Sequence, residues 1–422
     1  MNKLKPDLYD CDQDRIIRNG TFWNLCASSL NSLMTAFILF FVMRLNGVED
    51  AGLFSIASAL AYQALTIGLF GVRNYQAADV RFRYSFKEYY VLRILTSALM
   101  YGVVVYYAFF QGYSPEKAAV IFSFSLFKSI DALEDVYQGE YQRKGRLDLG
   151  AYLQTIRYGI SLAVLILLLF CVHDLSVCFL AASVVSLGIF YFQNRHLIKE
   201  FTNRKSKLRM DRLKDLLIAT LPLCLATWLN IYILNASKYS IDKVLSPEMQ
   251  AYYGTLVLPV FTINLLASVM YRPYISGLAE DWKSGNRDRF LKGCFQQLVV
   301  IVLLTAGISL FGWLIGLRLL SWLYGINLSS YMVPFLLLLF GGGLNTLAVF
   351  LTVVLTILDR QNVIFLGYVL SFLFCAAFSD SIVAASGLTG AGLVYAAASG
   401  ILCIVYVGFL MHFLGKTKSA LK

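Results

Sequence analysis

Apolar residues run along this chain in long, nearly unbroken stretches, separated by short segments that hold most of the Lys and Arg. With about 20 residues as the length that spans the hydrocarbon core of a bilayer, twelve such stretches stand out. They lie near 20–43, 51–72, 89–110, 116–138, 150–172, 175–193, 215–236, 251–271, 291–315, 331–357, 363–385 and 391–413. The pattern predicts an all-α polytopic membrane protein. An even number of crossings puts both termini on one side.

The fourth stretch breaks the pattern. It carries Lys128, Asp131, Glu134 and Asp135 in a run otherwise made of Phe, Ile, Leu, Val and Ala. On a helix these four and Gln138 fall within an arc of about 120°. Each ionised group at mid-bilayer costs roughly 2.5–3.5 kcal/mol on insertion scales, so this face needs partners, water or a polar lumen rather than lipid. The fifth stretch runs back beside it and places Arg157 at the depth of Asp131, each roughly 10 Å from the same end. Two readings stay open. The cluster is either a structural lock, with Lys128 and Asp131 paired at i, i+3, or a site coupled to H+ or Na+, since buried carboxylates beside cations can switch protonation.

Composition agrees with a membrane class: of 422 residues, 58% are hydrophobic and 14% charged, against about a quarter charged in soluble proteins. The net charge of +11 does not point to nucleic acid, because no basic domain separates from the apolar runs. It reports orientation instead. Arg and Lys crowd the N-terminus, the connections near 73–93 and 143–146, the segment 195–214 and the later even-numbered connections. Under the positive-inside rule both termini are cytoplasmic. The long, polar-spotted first stretch is not a signal peptide. The eight cysteines show no C-x-x-C pair and are read as small buried hydrophobes. No metal motif, phosphate-binding glycine loop or catalytic triad appears, so no cofactor and no enzyme activity, ATP hydrolysis included, is expected.

The basic connection 195–214 divides the chain into halves, 1–194 and 215–422, of six spans each. A shift of 199 residues aligns Thr21 with Thr220, Asn31 with Asn230, Arg44 with Lys243, Glu49 with Glu248, Arg73 with Arg272, Tyr75 with Tyr274 and Arg93 with Lys292. Halves of like orientation relate by a pseudo-two-fold along the membrane normal, with a cavity between them. Arg73 and Arg272 read first as snorkelling anchors. Arg44 and Lys243, joined by Lys238, lie on the side that avoids positive charge, which suggests an anionic ligand such as a phosphate. Trp228, Asn230, Tyr232 and Asn235 on span seven, and Asn31 on span one, are candidate sugar contacts. Pro259 predicts a kink, and Gly341 to Gly343 close helix packing.

Particular residues carry a resemblance: Arg44-Leu-Asn-Gly-Val-Glu49, Ala51-Gly-Leu-Phe54, Ile67-Gly-Leu-Phe-Gly-Val-Arg73-Asn-Tyr-Gln76 with Asp79, and Tyr84-Ser-Phe86 with Tyr89. A second patch runs from Asn235 to Asp242, with Ser237 where Pro is expected. These stretches resemble the Wzx-type lipid-linked oligosaccharide flippases, in the polysaccharide branch of the multidrug/oligosaccharidyl-lipid/polysaccharide (MOP) superfamily. The resemblance implies two six-helix lobes in a V, a cavity lined by spans one, two, seven and eight, and alternating access. The implied substrate is a polyprenyl diphosphate carrying an oligosaccharide repeat unit. The setting is a bacterial cytoplasmic membrane that makes capsule, O-antigen or exopolysaccharide, with a polysaccharide polymerase and glycosyltransferases as partners. Arg44, Arg73, Lys238, Lys243 and Arg272 then become candidate diphosphate contacts. Two alternatives remain: an ion-coupled exporter of organic cations from the same superfamily, which would want an acidic lumen, and a non-transporting scaffold of a polysaccharide assembly complex.

Overall fold

The computed structural model describes residues 13–79, 81–202 and 208–419. Its elements are helices: α1 Gln13–Leu45, α2 Val48–Leu69, α3 Val72–Ala78, α4 Phe86–Phe110, α5 Pro115–Arg143, α6 Leu147–Cys171, α7 Leu175–Phe201 and α8 Met210–Val244. There follow α9 Pro247–Leu256, α10 Leu258–Tyr271, α11 Ile275–Lys283, α12 Arg287–Phe311, α13 Leu317–Tyr324, α14 Met332–Ile357 and α15 Gln361–Ser419. By length and composition, ten helical stretches among the described residues can cross a membrane. The stretch Gln361–Phe413 counts once there but contains two helices that meet at Gly387, whose φ of 58° breaks the run. Helix α5, 29 residues long, is absent from the ten because of its charges. With Gln361–Phe413 divided at Gly387 and α5 added, the described residues hold a helical stretch at each of the twelve apolar runs.

Local chemistry fixes the boundaries. Ser85 and Glu88 form a reciprocal capping box that starts α4. Ser114 and Ser246 cap α5 and α9, each followed by a proline at the first helical position, where the missing N–H costs nothing. Pro259 lies in the first turn of α10, just past the break at Val257 that separates it from α9. Basic residues of the connection 195–214 fall partly on helix ends, Arg195 and Lys199 on α7 and Arg212 and Lys214 on α8. Arg204, Lys205 and Lys207 lie outside the described residues, as do Lys3, Lys5 and Cys11.

The chain forms two compact units, the first ending at Trp228 and the second beginning at Leu229, inside α8. In the first, α5 is the hub and packs against α2, α3, α4, α6 and α7. In the second, α14 takes that place against α10, α12 and α15. Three consecutive glycines make this second hub possible. A side chain on Gly341 would meet Tyr395 and the Ala396 backbone, on Gly342 Val260, and on Gly343 Thr305, so three helices close on one turn of α14. Large apolar side chains cover the outside: Phe109, Phe110, Val184, Trp322, Ile404 and Met411 are each at least 70% exposed, the surface expected to face lipid.

Candidate functional site: an ion-pair ladder in the first unit

The charged face of α5 is buried, and three tiers of ion pairs climb it. In the first tier Lys128, with no exposed surface, pairs with Asp131 one turn along. Arg157 of α6 reaches across with Nη2 to Asp131 at 2.6 Å and Glu134 at 2.8 Å. Its Nη1 donates to Ser186 of α7 at 2.9 Å. The rings of Tyr62 and Tyr158 flank the Lys128 ammonium at 5.0 and 5.8 Å, and Asn31 Oδ1 accepts from it at 3.4 Å. Asn31, a candidate sugar contact, is thus placed against the ion cluster.

The second tier centres on Asp135. Arg93 of α4, wholly buried, holds it at 2.6 Å and also donates to the Gly68 carbonyl at the end of α2. Arg73 of α3 approaches the other carboxylate oxygen at 3.7 Å and Gln142 Oε1 at 3.4 Å. The third tier joins α5 to the chain after α3. Arg143 pairs with Glu140 at 2.6 Å and Asp79 at 3.4 Å and donates to the Tyr84 carbonyl at 2.8 Å. Gln76 donates to Glu140 at 3.2 Å. Gly139 lets it in, since a Cβ there would lie 2.3 Å from the Gln76 amide oxygen. Tyr84 is in the connection before α4, where burial and then the neighbouring Tyr75 push its phenol up from the usual value.

Such tiers follow from electrostatics. An isolated charge in an apolar interior costs several kcal/mol, so each is matched, within α5 or across a helix boundary. The ion pairs staple α3, α4 and α6 to α5. Arg157 lies beside Asp131 as the span depths predict. Arg93 differs from its sequence reading as a connection-side anchor: it is inside the unit, whereas its repeat partner Lys292 is exposed. The signal for Arg93 was its setting in Leu92-Arg93-Ile94-Leu95, a lone cation in an apolar run. In the third tier Gln76 and Asp79 stood out only through the resemblance, and nothing linked them to Glu140 and Arg143, because all four fall beyond the expected ends of spans two and four.

Arg44 is exposed at the end of α1, and Arg272 is exposed in the 3-10 turn after α10. In the second unit Lys243 pairs with Asp380 of α15 at 2.8 Å, both ends well exposed, and Ser240 donates to the same carboxylate at 2.6 Å. Lys238 is 9% exposed, with no carboxylate at ion-pair distance among the described residues. The Trp228 carbonyl accepts from Gln63 at 3.0 Å, at one edge of a largely apolar cavity of about 380 Å³ lined by Leu60, Ile67, Val104 and Tyr107. Asn235 bonds back to its own helix at the Ile231 carbonyl, Tyr232 packs on Phe372 at 4.8 Å, and Asn230 is half-buried.

No family model and no curated protein matches the sequence. Solved structures do match the fold. A multidrug-resistance MATE-family transporter of the MOP superfamily, in an inward-facing conformation, aligns with a TM-score of 0.67 at 13% identity, over 94% of this chain and 98% of that one. The lipid II flippase MurJ, in an inward closed conformation, aligns with a TM-score of 0.63 at 11% identity, over 94% and 87%. A MOP-superfamily transporter from Pyrococcus furiosus aligns at 0.60 and 14% identity, over 97% of both chains. The chain therefore has a MATE/MOP-type transporter fold, and these neighbours are transporters and a flippase rather than enzymes.

Proposed function

We propose that the protein is a flippase that carries a polyprenyl-diphosphate-linked oligosaccharide repeat unit across a bacterial cytoplasmic membrane by alternating access. The observation that carries this reading is the charge balance of the first two tiers. Asp131, Glu134 and Asp135 are the carboxylates, and Lys128, Arg157, Arg93 and Arg73 hold them. Every carboxylate is engaged and the set keeps a surplus cation. An exporter of organic cations needs unclaimed acidic groups; a carrier of diphosphate does not. The sugar and diphosphate cannot enter hydrocarbon unaided, whereas the prenyl chain can remain in lipid. That division of labour suits a lipid-linked substrate, the kind named for MurJ, which shares this fold.

In this reading the basic connection 195–214 separates two six-span lobes, both termini are cytoplasmic, and Arg44, Arg73, Lys238, Lys243 and Arg272 mark the anion path. We assign coupling to H+ or Na+ to Asp135, the carboxylate whose second partner, Arg73, stands at 3.7 Å and is 27% exposed. A polymerase and glycosyltransferases supply and consume the repeat unit. The test is glycan export by Arg44→Ala and Lys243→Ala variants at matched protein levels. Export falls in both; normal export in both removes the anion path.

A further inference from the structure

Phe82 has φ of 53°, a left-handed conformation that costs a bulky L-residue roughly 1–2 kcal/mol. The residue is nevertheless 50% exposed. The neighbourhood enforces the conformation. Asp79 accepts from the backbone N–H of Arg83 at 2.9 Å and of Tyr84 at 3.1 Å, and its carboxylate is fixed by Tyr89 at 3.1 Å and by Arg143. Backbone strain that the surroundings hold in place is a reason to look for function.

Two cations lie against this aromatic, and the Arg143 guanidinium is 4.8 Å from its ring centroid. The Lys144 ammonium is 4.3 Å from the Phe82 ring centroid. Arg83, next in the connection, and Lys87, in the first turn of α4, are exposed. Arg212 of α8 donates to the Arg83 carbonyl at 3.2 Å, which brings a further exposed cation to the same place. Two nearby acids, Asp79 and Glu140, are already bound by Arg143. Asp211 and Asp215 on the first turns of α8 remain exposed, so four exposed cations outnumber these two carboxylates. Depth identifies the partner. Ile218 of α8, six residues beyond Arg212, is 56% exposed and belongs to the apolar surface, so the cluster sits roughly 9 Å below it, at headgroup level.

We infer that Phe82, Arg83, Lys87, Lys144 and Arg212 form a binding site for anionic phospholipid headgroups, with the Phe82 ring entering the acyl boundary and the cations taking the phosphates. Cations at a membrane surface attract anionic lipid, and an aromatic ring prefers the interface. An acidic soluble protein could meet the same charges but gives a half-exposed apolar ring nothing to enter.

The test compares the full chain in nanodiscs of phosphatidylcholine alone and with phosphatidylglycerol, reading the thermal midpoint and the phosphatidylglycerol retained on native mass spectrometry. Phosphatidylglycerol raises the midpoint of the parent protein. Arg83→Gln with Lys87→Gln lowers retention by roughly fivefold for each cation removed. Phe82→Gly, which suits the left-handed backbone, keeps the phosphatidylcholine midpoint but loses the added stabilisation. Equal gains from phosphatidylglycerol in parent and variants overturn the site. No gain in the parent also overturns it and leaves the face to an acidic protein.

Discussion

One nitrogen of Arg157, Nη2, serves two carboxylates on α5, Asp131 at 2.6 Å and Glu134 at 2.8 Å. Removing Arg157 therefore leaves Glu134 with no cation and Asp131 with Lys128 alone. Breaking a buried pair from one side costs about 3–5 kcal/mol. Arg157→Met should sharply lower the yield of monodisperse protein and its thermal midpoint in detergent.

Lys128→Met should be milder, because Asp131 keeps Arg157 and the methionine fills a space between Tyr62 and Tyr158. The order of midpoints, parent above Lys128→Met above Arg157→Met, is checked in one melting series. The reverse order would show that the ladder is not organised by Arg157.

In the second tier Arg93 and Arg73 share Asp135 but not its surroundings. Arg93 has no exposed surface, and Arg73 is 27% exposed. Asp135→Asn strands a buried guanidinium and should destabilise strongly, whereas Arg73→Gln should change stability by about 1 kcal/mol or less. If Asp135 is also the coupling carboxylate, Asp135→Glu folds but transports with an altered dependence on the pH or Na+ gradient. Unaltered dependence removes coupling from this tier.

Gly341 packs where a side chain would lie 2.7 Å from Tyr395 and 3.0 Å from the Ala396 backbone. Backbone cannot swing aside as a flexible side chain can. Gly341→Val should cost about 1–3 kcal/mol through overpacking, read as a lower midpoint. The same change at Gly102, where nothing lies within 4 Å, should leave the midpoint near that of the parent.

The twelve crossings were legible because each needs a long apolar run, and α5 announced itself through charges that lipid forbids. The partnership of Lys128, Asp131 and Arg157 was legible too, since spacing on one helix and depth on the next place them together. Arg93 as the partner of Asp135 was not, because depth does not say which neighbour packs on a given face. Asp79 and Arg143 escaped for another reason. They hold a connection in a left-handed turn at Phe82, and nothing in Asp79-Val-Arg-Phe82 signals that conformation, which glycine would normally supply. The repeat aligned Arg93 with Lys292, but similar sequence positions have different burial here, since the second unit builds its hub from glycines instead of ion pairs.

The central claim is that the cargo is an anionic lipid-linked glycan. Purified protein in liposomes, supplied with a fluorescent polyprenyl-diphosphate oligosaccharide in one assay and a cationic dye in another, tests it directly. The account predicts protein-dependent transfer of the lipid-linked glycan between leaflets, reduced in Arg44→Ala and Lys243→Ala, and no uptake of the dye. Movement of the dye with no movement of the glycan would contradict it.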